Sequence, residues 1–136
     1  MDPNYAWRFL PVGYALTVLL EMPVLLIGLS SPHGLRRRLV AGLWLNACSY
    51  PLVILALPTL IDPFQQRTLY TAIAEVFAPV AECVVFALAF HTTALTTPER
   101  RRDFAAIMIA NLTSFLVGDW FLHTSIGERL LASLAR

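Results

Sequence analysis

Apolar residues dominate four stretches of the chain, at residues 9–30, 39–61, 70–91 and 104–122, and short polar stretches at 31–38, 62–69 and 92–103 separate them. An α-helix needs about 20 mostly apolar residues to cross the hydrocarbon of a bilayer, and each stretch is close to that length. The pattern predicts an all-α integral membrane protein: one domain of four transmembrane helices packed as a bundle. In the tail, residues 123–136, Leu130, Leu131 and Leu134 share one side of a helix and predict a short amphipathic surface segment. The first apolar stretch does not read as a signal peptide. It is too long, lacks a basic leader and carries Glu21 in its middle.

Polar positions inside the apolar stretches are few and patterned. Glu75 and Glu82 lie seven residues apart, hence on one face of the third helix. Glu21 sits in the first helix, Asn46 and Ser49 in the second, and Asn111, Ser114 and Asp119 in the fourth. At 1.5 Å per residue, Glu21 and Glu82 fall near mid-membrane. Ser49 and Ser114 lie close to them, Asn46 and Asn111 a turn or two toward one side, and Glu75 and Asp119 toward the other. Small residues recur every fourth position at Gly13 and Thr17, and at Ala106, Ala110, Ser114 and Gly118. Such stripes let helices approach closely in lipid, and helix packing accounts for them.

Two segments resemble each other. SPHGLRRRLVAGLWLNACSY, at 31–50, and TPERRRDFAAIMIANLTSF, at 97–115, each run from a proline through three arginines to Asn, then Ser and an aromatic residue. A helix with a mid-membrane glutamate, Glu21 or Glu82, precedes each. This predicts two tandem helical hairpins of like orientation, related by an axis along the membrane normal. The correspondence breaks where Pro51 is matched by Leu116.

Charge sharpens the picture. Four carboxyls, Glu21, Glu75, Glu82 and Asp119, stand within the apolar stretches, and no Arg or Lys stands there with them. A carboxylate at mid-membrane costs at least about 2.5–3.5 kcal/mol on insertion scales. The acids must therefore be held protonated, bind a cation, or receive a basic group from a partner or substrate. Pro23, Pro51 and Pro79 lie close to these polar positions. A mid-helix proline frees the carbonyl four residues back, Ala47 for Pro51 and Glu75 for Pro79.

Composition limits the remaining choices. With 57% hydrophobic and 14% charged residues and a net charge of +1, nothing points to nucleic acid. All ten basic residues are arginine, and six of them lie in the first and third turns. The positive-inside rule then predicts a plasma (inner) membrane protein with both arginine-rich turns cytoplasmic and both termini outside. Trp7 and Tyr5 suit an interface, and the arginine triplets suit anionic headgroups. Cys48 and Cys83 read as apolar residues, not as a disulfide framework. His33, His91 and His123 lie at different levels and lack zinc spacing, and the sequon at Asn111 falls inside a span.

These observations favour a transporter or channel subunit for protons, metal ions or cationic solutes. Its binding set would be Glu21, Glu82, Asn46, Asn111, Ser49, Ser114 and Glu75. No cofactor is evident beyond a bound cation. The expected partners are the lipid bilayer and either further copies of the chain or a larger membrane complex. The alternative is a non-catalytic accessory or assembly subunit of such a complex. An enzyme using the carboxyls as acid and base ranks last, because no nucleophile accompanies them.

Overall fold

The computed structural model describes residues 3–90 and 96–134 of the 136-residue chain. The side chains of Tyr5, Leu130, Leu131 and Leu134, and all of His91, lie outside the described residues. The fold is all-helical, without strands among the described residues. Helices α1 (Pro3–Gly28), α2 (Leu35–Pro51), α3 (Arg67–Ala89) and α4 (Thr97–Leu122) form the bundle, and a shorter α5 (Ser125–Leu134) follows. Four segments are long and apolar enough to cross a membrane: Ala6–Gly28, Leu35–Thr59, Arg67–Ala89 and Thr97–Phe121, with mean hydropathy from 1.5 to 2.0.

The second segment includes more than α2. After Pro51 the chain passes into one π-helical turn, Leu52–Ala56, and a 3-10 turn, Leu57–Thr59. Proline has no N–H to offer the carbonyl four residues back, and a widened turn is one way for the backbone to adjust. The Val53 carbonyl in this turn accepts the Tyr70 hydroxyl at 2.8 Å. Pro23 and Pro79, by contrast, stand inside unbroken helices.

The sequence boundaries need one correction. The arginines at 100–102 do not belong to a turn: α4 begins at Thr97 and includes them, as α2 includes Arg36, Arg37 and Arg38. Local chemistry starts α4 early. Pro98 suits the first helical turn, and the Glu99 carboxylate folds back to accept the N–H (2.7 Å) and hydroxyl (2.8 Å) of Thr96.

Consecutive helices are antiparallel. α1 packs on α2 and α4, and α3 packs on the same two, so α1 and α3 occupy one diagonal and α2 and α4 the other. Leu25, Leu29, Leu45, Phe86, Ile107 and Ala110 make up much of the buried apolar core. Small residues set the closest approach. A Cβ on Gly28 would stand 2.6 Å from the Ala106 Cβ, and one on Gly42 would stand 2.8 Å from the end of Met22. Most other large apolar side chains, Trp7, Trp44, Trp120 and Leu88 among them, face outward, as expected where lipid is the solvent.

Candidate functional site

Glu21 and Glu82, on the α1–α3 diagonal, are each only 1% exposed. Every side-chain donor they meet comes from the other diagonal. Glu21 Oε2 accepts Asn46 Nδ2 from α2 at 2.8 Å, and its Oε1 accepts Ser114 Oγ from α4 at 2.7 Å. Glu82 Oε2 accepts Asn111 Nδ2 from α4 at 2.7 Å, and its Oε1 accepts Ser49 Oγ from α2 at 2.6 Å. Each asparagine thus serves the glutamate of its own hairpin, and each serine serves that of the other.

The donors are held in place by their own helices. Asn46 Nδ2 also donates to the Gly42 carbonyl and Asn111 Nδ2 to that of Ile107, both at 3.1 Å. Ser114 Oγ also lies 2.9 Å from the Asn111 carbonyl, which shares its single hydrogen with Glu21. Spacing by four puts a side-chain amide one turn above a backbone carbonyl. Each amide therefore has one hydrogen on its helix and one on a glutamate. All four donors are neutral, and the glutamates meet no basic side chain among the described residues.

Beside this network lies a cavity of about 140 Å³, whose lining includes Glu21, Glu82, Thr17, Tyr50, Ser49 and Ser114. Glu75 lies in the same wall, half-buried, and its carboxylate hydrogen-bonds to no described residue. All seven residues singled out in the sequence therefore border one cavity. Thr17, Tyr50, Ala74, Ala78 and Phe115 complete much of it; Thr17 carried a prior signal as part of a small-residue stripe, and Tyr50 and Phe115 as the aromatic residues that end the two matching segments. Asp119 is elsewhere: it is exposed near the end of α4, and its carbonyl meets His123 Nδ1 at 2.7 Å. No cluster of three or more His, Cys, Asp or Glu side chains suited to a metal ion occurs among the described residues. Cys48 and Cys83 are free thiols.

A second polar cluster ties the arginine-rich end together. Asp103, 1% exposed, accepts the Ser30 N–H at 2.7 Å and the Ser30 hydroxyl at 3.0 Å, and pairs with His33 Nε2 at 3.0 Å. His33 is equally buried, edge-on to Phe86, and its Nδ1 has no partner among the described residues. Ser30 and His33 both turn to Asp103, so this is a structural clasp from the α1–α2 turn to α4.

The arginines close helix ends that lack a basic residue of their own. Neither α1 nor α3 has one in its last turn. Arg102 of α4 donates to the Gly28 carbonyl at 2.8 Å and to that of Ile27 at 3.2 Å. Arg37 of α2 donates to the Phe90 carbonyl at 2.6 Å and lies over the Phe90 ring. Arg38 reaches the carbonyls of Leu26, Ser30 and His33. Cations at helix C-termini satisfy free carbonyls and oppose the dipole. Sequence reading assigned these arginines to topology and headgroups. The overlooked signal was two long helices ending without a cation.

An all-helical bundle of membrane-spanning proportions, with two neutral-bonded carboxyls on a common cavity, is the class that fold and site define. Comparison with family models, curated proteins and solved structures finds no match to this chain.

Proposed function

We propose that the protein is a small membrane transport or channel subunit in which Glu21 and Glu82 exchange protons with, or hold a cation in, the cavity between the helices. The observation that carries this reading is the pairing itself. Two buried carboxyls on one diagonal are met, among the described residues, only by neutral donors from the other, beside a cavity of about 140 Å³. A purely structural polar core closes on itself, whereas this one borders open space with a third carboxyl, Glu75, on its wall. Intramembrane ionisable groups facing a bundle interior mark proton or ion paths more often than hydrolytic sites.

The two hairpins act as copies of one unit. The exchanged serines and the corresponding roles of Arg37 and Arg102 support that symmetry, with an axis along the bundle. The arginine-rich end faces the cytoplasm of a plasma (inner) membrane, following the positive-inside rule, and further copies of the chain assemble around it in the bilayer.

The test is flux into vesicles containing the purified protein and a pH-sensitive dye, driven by a proton or tetramethylammonium gradient. Glu82→Gln keeps the shape of the side chain and removes its charge and exchangeable acid proton. It is expected to insert normally and to abolish flux, and unchanged flux would refute the proposal. Native mass spectrometry of gently extracted membranes supplies the second arm. Stoichiometric recovery with larger proteins, together with no flux from the isolated chain, would replace transport by an assembly role.

A further inference from the structure

A second pocket adjoins the cavity. On the seam between α3 and α4 runs a groove of about 300 Å³ bordered by Pro79, Met108, Ile109 and Leu112. Glu75, Asn111 and Phe115 line both this groove and the carboxyl cavity. The groove therefore adjoins the cavity, with those three residues as a common wall and Glu75 among them. Its opposite edge is formed by outward-facing side chains: Met108, Ile109 and Leu112 are all at least half exposed. In a bilayer that edge faces lipid tails, not water.

We propose that the bound species is an amphiphilic monocation, a small ammonium headgroup carrying an apolar chain, which enters sideways between α3 and α4. The inference rests on the reading of the glutamates as a cation site and specifies its ligand. Charge decides the head. The described lining of the cavity offers Glu21, Glu75 and Glu82 and no cationic side chain, so the ionised site repels an anion and favours a cation. Size admits a small organic head: cavities of about 150 Å³ in protein cores take up benzene. The groove decides the tail, because its four private residues carry no charge and lie where an alkyl chain exchanges lipid contacts for equivalent protein ones. Glu75, which hydrogen-bonds to no described residue and lines both groove and cavity, is the first carboxyl that an incoming head meets.

The experiment is native mass spectrometry of the full chain in neutral detergent, titrated with hexyltrimethylammonium and, separately, with tetramethylammonium. The wild type is expected to bind one hexyltrimethylammonium, added from water, about tenfold more tightly than tetramethylammonium, the gain from moving roughly two methylenes out of water into the groove. Leu112→Trp fills the groove and is expected to erase that preference. Leu88→Trp, on a lipid-facing position outside the groove, is expected to preserve it, and Glu75→Gln is expected to weaken both cations. Equal affinity for the two cations in the wild type overturns the amphiphile while leaving a cation site. Binding of neither, with a protonated-carboxyl infrared band that still responds to pH, overturns it in favour of protons alone.

Discussion

At the scale of single residues, the interior depends on matched donors and acceptors. Asn46 and Asn111 each bridge their own backbone to a glutamate. Replacing either by leucine leaves one carboxylate oxygen without its amide, so Asn46→Leu and Asn111→Leu should each destabilise the bundle by about 1–3 kcal/mol. Reversible unfolding in mixed micelles measures this, and the two losses should be similar because the two environments are. Asp103 is satisfied differently, by three contacts to Ser30 and His33. Asp103→Ala orphans a buried backbone N–H and the imidazole together. A loss of at least about 2 kcal/mol in the same assay is expected.

At the scale of elements, backbone approach matters more than side-chain volume. Gly28 faces Ala106 across the α1–α4 contact with no room for a Cβ, whereas Gly118 has nothing within 4 Å of the corresponding position. Gly28→Val should separate α1 from α4 and destabilise by about 1–3 kcal/mol. Gly118→Ala, in a helix with free space, should be neutral or stabilise by up to about 1 kcal/mol. Unfolding of the two variants side by side checks the contrast. The stripe Ala106, Ala110, Ser114, Gly118 looks uniform in the sequence. Only packing separates its buried first half from its end, where a Cβ on Gly118 would meet nothing within 4 Å.

At the scale of the whole molecule, the two ends of the bundle are built differently. One end is cross-linked by Asp103, Arg37, Arg38 and Arg102, each joining separate elements. At the other, Asp62 accepts the N–H groups of Phe64 and Gln65 within its own turn, which holds its carboxyl below the usual range but joins no second helix. Amide hydrogen exchange should therefore be slower in residues 29–34 and at the start of α4 than in residues 60–66. Asp103→Ala should reduce that difference. Equal exchange at both ends of the wild type would contradict this account of where the bundle is clamped.

The sequence alone determined four membrane-length helices, their order and the seven polar residues that border the cavity, because length, hydropathy and a carboxyl among apolar neighbours are local properties. Glu21, Glu82, Asn46, Asn111, Ser49, Ser114 and Glu75 were all legible in this way. Their pairing was not. That Ser114 serves Glu21 while Ser49 serves Glu82 depends on which helices share a diagonal, and α1 and α4 meet across most of the chain's length. Tertiary structure also decided that Asp119 points away from the cavity, that His33 finds Asp103, and that the arginines close the ends of neighbouring helices. Each depends on a partner distant in sequence, and helical periodicity carries no information about which distant face a given face will meet.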